Sequence, residues 1–176
     1  MANPFSGIPV DEALRRIEKS TAFKQLRAER PQAYLAHAFI TRSAEGCGNW
    51  QVGFYDRTQD RIIVAEVNGD AIFLHPPEEV YKEPGRTILS LKEEDVSVAV
   101  ADAVATMDTR MREAYVGELS NKDIILLQNL PEWGTVWNIT ALTTAFQVIN
   151  FKIDAKSGKI LSESRESLTT IGKKDE

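Results

Sequence analysis

Apolar and polar residues alternate through Phe151-Lys152-Ile153-Asp154-Ala155-Lys156-Ser157-Gly158-Lys159-Ile160-Leu161, and the pattern predicts two strands joined by a short turn. Asp154 and Ser157 can bond back to turn amides, and Gly158 can take the positive φ that a side chain resists. A similar run stands earlier, in Ile62-Ile63-Val64-Ala65-Glu66-Val67-Asn68-Gly69-Asp70-Ala71-Ile72, with Asn68-Gly69 as a tighter turn. Each pattern suits a sheet with one covered face.

Other elements follow from the same reading. Val10, Leu14 and Ile17 recur on one face of a helix from Pro9 to Lys19, with Asp11 and Glu12 near its positive end. Phe23 and Leu26 predict a second short helix that stops before Pro31. Ala33 to Thr41 then reads as a largely buried strand, Ser43 to Asn49 as a loop, and Trp50 to Phe54 as a strictly alternating strand. Strands over Arg61 to Val67 and Ala71 to His75 complete this half, with Glu83-Pro84-Gly85 as the linker.

In the second half, Ser90-Leu91-Lys92-Glu93 fits a capping box, and Val96, Val100, Val104, Met107 and Met111 mark one apolar helical face. Ile124 to Leu127 reads as a buried strand, Pro131 to Thr135 as a loop, and Trp137-Asn138-Ile139 as renewed alternation. Phe146 to Ile153 and Lys159 to Ser164 flank the Gly158 turn. Helix, strand, loop, Trp-led strand, strand, turn and strand thus recur in one order. The expected fold class is α+β, built as two repeated units, each a helix packed on a roughly four-stranded antiparallel sheet. The units are expected at residues 1–86 and 87–171, with a disordered tail at 172–176.

At 176 residues, with ordinary apolar and charged fractions, the chain has the composition of a globular protein. Its net charge of −5 argues against a nucleic-acid partner. No apolar run approaches the ~20 residues that span a bilayer, and the N-terminus lacks the pattern of a signal peptide. The lone Cys47 cannot form an intramolecular disulfide. A cytoplasmic protein is expected.

Candidate chemistry changes this picture little. Cys47 lies between Gly46 and Gly48, but the sequence places neither His37 nor His75 beside it as a base. The two glycines lack the ending of a phosphate-binding loop. His75 has Glu78 and Glu79 nearby but no second His or Cys, so no metal site is expected. Glu93, Glu94 and Asp95 read as helix-start charges rather than paired catalytic carboxylates. No cofactor is expected. Trp50 and Trp137 read as core anchors. Trp133, in Pro131-Glu132-Trp133-Gly134, is the candidate partner-binding residue, as a loop aromatic able to anchor a second protein.

Ile153 to Leu161 resembles the signature of the PepSY domain, a short V-D-A-x-x-G-x-V-L hairpin. The second unit resembles that family more closely than the first, where Asn68-Gly69-Asp70 shortens the turn. The resemblance implies cystatin-like units, no shared catalytic residues, and a role toward peptidases. The expectation is therefore a non-enzymatic binding or regulatory module that takes a protein or peptide at a sheet edge or face. Two alternatives stay open. One is a small-molecule-binding protein or enzyme with a pocket between sheet and helix; the other is a self-associating structural subunit, such as a homodimer.

Overall fold

The computed structural model describes residues 4–171. Two helices, α1 (Val10–Lys19) and α2 (Thr21–Glu29), lead into the strands β1 (Tyr34–Ser43), β2 (Gly46–Cys47), β3 (Trp50–Asp56), β4 (Arg61–Asn68), β5 (Ala71–Leu74) and β6 (Glu78–Glu79). After a 3-10 turn at Glu93–Asp95 come α3 (Val100–Ala114), β7 (Ser120–Leu130), β8 (Gly134–Thr143), β9 (Gln147–Asp154), β10 (Ile160–Ser167) and α4 (Leu168–Ile171). Among the described residues the strands form one ten-stranded sheet, ordered β10-β9-β8-β7-β1-β3-β4-β5, with β2 beside β1 and β6 beside β4. Each pairing is antiparallel.

This corrects the expected fold class. The chain is β-rich and does not form two repeated helix-on-sheet units, because β1 and β7 pair from His37–Gln128 to Ser43–Lys122 and join all the strands into one sheet. Each of these long strands would otherwise present a row of unpaired N–H and C=O groups to water, and pairing them removes both open edges. The hydrophobic core is continuous too. Ala13, Leu14 and Ile17 of α1, Leu26 of α2 and Val104, Met107 and Met111 of α3 belong to one buried cluster. With them lie Val52, Ile63, Ala65, Ile125, Leu127, Ile139, Ile149 and Phe151 of the sheet. Trp50 and Trp137 meet in it, with ring centroids 6.4 Å apart. Their indole N–H groups donate to the carbonyls of Ile8 (2.8 Å) and Val98 (2.9 Å), which removes the penalty of burying a donor.

The helix expected from Ser90 starts ten residues later, at Val100. Ala99 is its N-cap, with no side-chain bond to the first turn, and the Glu93–Asp95 carboxylates lie on the separate 3-10 turn. Tertiary bonds explain the extended segment between. The amides of Ser97 and Val98 both donate to Ala155 O at 2.9 Å, while Val98 O receives the Trp137 indole. A helix through these residues would forfeit those bonds. Elsewhere the main shift is that β7 runs well beyond Ile124–Leu127. The tail expected at 172–176 lies outside the described residues.

The Asp154–Ile160 turn has the local chemistry its sequence specifies. Asp154 Oδ2 accepts from the Ser157 amide at 2.9 Å and from its hydroxyl at 2.5 Å, and the Gly158 amide donates to Asp154 O at 2.8 Å. Gly158 has φ +78°, and a Cβ there would lie 3.6 Å from Val98 Cγ2, an ordinary contact. A side chain therefore fits in space but not in conformation. Gly158→Ala is expected to lower stability by about 1 kcal/mol, read as a lower urea midpoint at unchanged slope. An unchanged midpoint would show that the turn accepts alanine without strain.

Candidate functional site

The helices that contribute to the core pack on one face of the sheet, and the alternate residues of each strand form the other. On that second face, the strand pairings set Lys152 opposite Asn138, Asn138 opposite Leu126, and Leu126 opposite Phe39. The row continues from Phe39 to Gln51, Glu66 and Phe73. Lys152, Asn138, Leu126, Phe39, Gln51 and Glu66 are all part-exposed, and Phe73 is exposed. A neighbouring row holds Asn150, Thr140, Ile124 and Thr41. Large apolar side chains thus lie on the face opposite the core helices, flanked by amides and charges, and the segment after β6 crosses one end of that face, where Lys82 donates to the Tyr55 hydroxyl and Ile88 O accepts from Tyr34. Ile124-Ile125-Leu126-Leu127 reads from its sequence as a buried strand. In the structure Ile125 and Leu127 are buried, whereas Ile124 and Leu126 face the open side.

Polar groups on this face are tied to one another. Asn150 Nδ2 donates to Asn138 Oδ1 (2.7 Å) and Thr140 Oγ1 (2.9 Å), and Lys152 Nζ donates to Asn150 Oδ1 (3.0 Å). Across the sheet, Glu66 accepts from Asn49 (3.0 Å) and lies 2.9 Å from His75 Nε2. The hydrogen bonds from Asn49 and then His75 hold the Glu66 carboxyl below its usual pKa. The His37 ring sits against Gly53, where a Cβ would come within 2.2 Å of Cε1. Burial lowers the His37 pKa, so the imidazole is neutral at pH 7.

At the end of the sheet near the start of α3's last turns, Arg42 bridges two acids. It meets Asp123 Oδ2 at 2.7 Å through Nε and both carboxylate oxygens of Asp108 at 2.7 and 2.9 Å. Burial opposes the charge on Arg42, but these carboxylates raise its pKa above the ordinary value. Nearby, Tyr115 donates to Glu163 at 2.6 Å. Burial, and then that hydrogen bond, push the Tyr115 hydroxyl up to about 12.

The remaining candidates are dispersed. Cys47 is part-buried on β2 and takes a 3.8 Å contact from the Ser6 hydroxyl. Among the described residues no hydrogen bond joins Cys47 to either histidine, and no three His, Cys, Asp or Glu side chains group together as metal ligands. Glu93 borders two adjacent cavities of about 310 and 470 Å³ between α1, α2 and the segment leading into α3. Burial, then Glu18 and Asp11, raise its pKa. Trp133 lies in the β7–β8 turn and is 38% exposed. Its backbone amide donates to Leu130 O at 3.2 Å. Pattern reasoning missed the open-face row. Its signal was present in the apolar residues at both parities of Ile124–Leu127, a run that reads simply as a buried strand.

No protein-family model and no curated protein matches the chain. Among solved structures, the crystal structure of a "putative lipoprotein" from Clostridium difficile 630 matches with a TM-score of 0.57. The match covers 90% of this chain and 93% of that one at 13% identity. At that identity the likeness establishes a shared fold. Among the described residues no helix is long and apolar enough to cross a membrane.

Proposed function

We propose that this protein is a non-enzymatic binding module that docks another polypeptide on the open face of its sheet. One observation carries the reading: the sheet face opposite the core helices has Phe39, Ile124 and Leu126 on its central strands, with hydrogen-bonding groups around them. Such a face supplies apolar area for affinity and a polar surround for register. The PepSY-like character of Ile153–Leu161 supports a role of the same kind, with control of a peptidase as its family form. Trp133, half-exposed in a turn at one end of the sheet, is an additional aromatic anchor.

A benzophenone photo-crosslinker placed at position 39 tests the reading, with a control at Ala105, which is exposed on α3. The expected result is a polypeptide adduct from native extract at position 39 and none at position 105. Trp133→Ala should reduce the adduct yield while leaving the melting curve nearly unchanged. Equal labelling at both positions would overturn the docking face. An unfolded Trp133→Ala protein would show that this side chain packs the fold.

A further inference from the structure

We propose that the open face is self-complementary and takes a second copy of this chain, with Lys152 of each copy paired to Glu66 of the other. This rests on the docking reading above and names the occupant. The order of the central row carries it: Lys152, Asn138, Leu126, Phe39, Gln51, Glu66. In chemical terms the six inner positions are cation, amide, apolar, apolar, amide, anion, centred on the β7–β1 junction, and Ser162 of β10 and Phe73 of β5 extend the row at its two ends. A two-fold axis through that midpoint, parallel to the strands, lays one open face on another. It places Leu126 over Phe39, Asn138 over Gln51 and Lys152 over Glu66, each twice. A foreign partner would require no such antisymmetry.

Distances exclude the same pairing within one chain. Lys152 and Glu66 are separated by five strand spacings, about 24 Å at ~4.8 Å each. Among the described residues the ammonium of Lys152 forms no ion pair and donates only to Asn150 Oδ1, at 3.0 Å. Stacked sheets lie about 10 Å apart, a gap that a lysine and a glutamate can bridge together. The roughly 30° crossing of aligned sheets moves each end of the row by about 6 Å, which the four-carbon stem of Lys152 can follow.

Light scattering and sedimentation of the full chain over a wide concentration series test the proposal. The wild type should dimerise, while Lys152→Glu and Glu66→Lys should each weaken the dimer at least about tenfold, because each sets like charges opposite one another. An equimolar mixture of the two variants should dimerise again, since both cross-pairs become attractive, and so should the double variant. Glu66→Lys also disturbs His75 and Asn49, so Leu126→Glu provides a second probe of the same face. A wild type monomeric at every concentration would overturn the proposal, as would a dimer that survives both Lys152→Glu and Leu126→Glu. A monomer that still gives polypeptide adducts at position 39 rejects the second copy but retains the docking face; loss of the adducts as well rejects both.

Discussion

Trp137→Ala is expected to reduce the unfolding free energy by about 3–5 kcal/mol. The indole is fully buried, packs against Trp50, and donates to Val98 O at 2.9 Å. Alanine would therefore leave a cavity between α3 and the sheet and remove a partner from a carbonyl on the extended segment before α3. That segment also bonds to Ala155, so the effect should reach the β9–β10 turn. Urea denaturation of wild type and variant measures the loss. Amide exchange should accelerate at Ser97 and Val98 beyond the global change. A midpoint near that of the wild type would mean that the neighbouring side chains collapse into the space.

Arg42→Ala should cost a similar amount, about 3–5 kcal/mol, by a different mechanism. Arg42 and Asp123 side chains are each 4% exposed, and Asp108 is 15% exposed. Removing the guanidinium leaves two carboxylates facing each other in a poorly solvated site. The penalty arises from uncompensated charge more than from lost packing, and a paired variant separates the two. Arg42→Met/Asp123→Leu should regain a good part of the stability lost by Arg42→Ala, because it removes one acid together with its partner. If the double variant is no better than the single one, packing rather than charge sets the cost.

Local chemistry explains what could be read along the chain. Alternation at period two marked the strand pair around Gly158, and the Asp154–Ser157 bonds form within four residues, so the turn needs no distant partner. The α1 stripe of Val10, Leu14 and Ile17 was legible for the same reason, since one helix face meets one side of the sheet. Ser90 and Glu93 show where such reading fails. Their spacing suits a cap, but the bonds from Ser97 and Val98 to Ala155 hold the following residues extended and delay α3 to Val100. A propensity of a few tenths of a kcal/mol per residue yields to tertiary hydrogen bonds of this kind.

The candidate docking face was hidden for a related reason. Within β7 alone, Ile124 and Leu126 are indistinguishable from Ile125 and Leu127, because period-two alternation assigns two faces without saying which one a helix will cover. Residue order along the chain thus decided where most strands and turns form and which residues share a face, through steric and hydrogen-bonding preferences that act over a few positions. Only the assembled sheet decided that β1 meets β7, that a single core results, and that Phe39 and Leu126 stand side by side on the face opposite the core helices. Pairing His37 with Gln128 joins residues from opposite halves of the chain, and its free energy comes from satisfied edges and shared burial that neither strand possesses by itself.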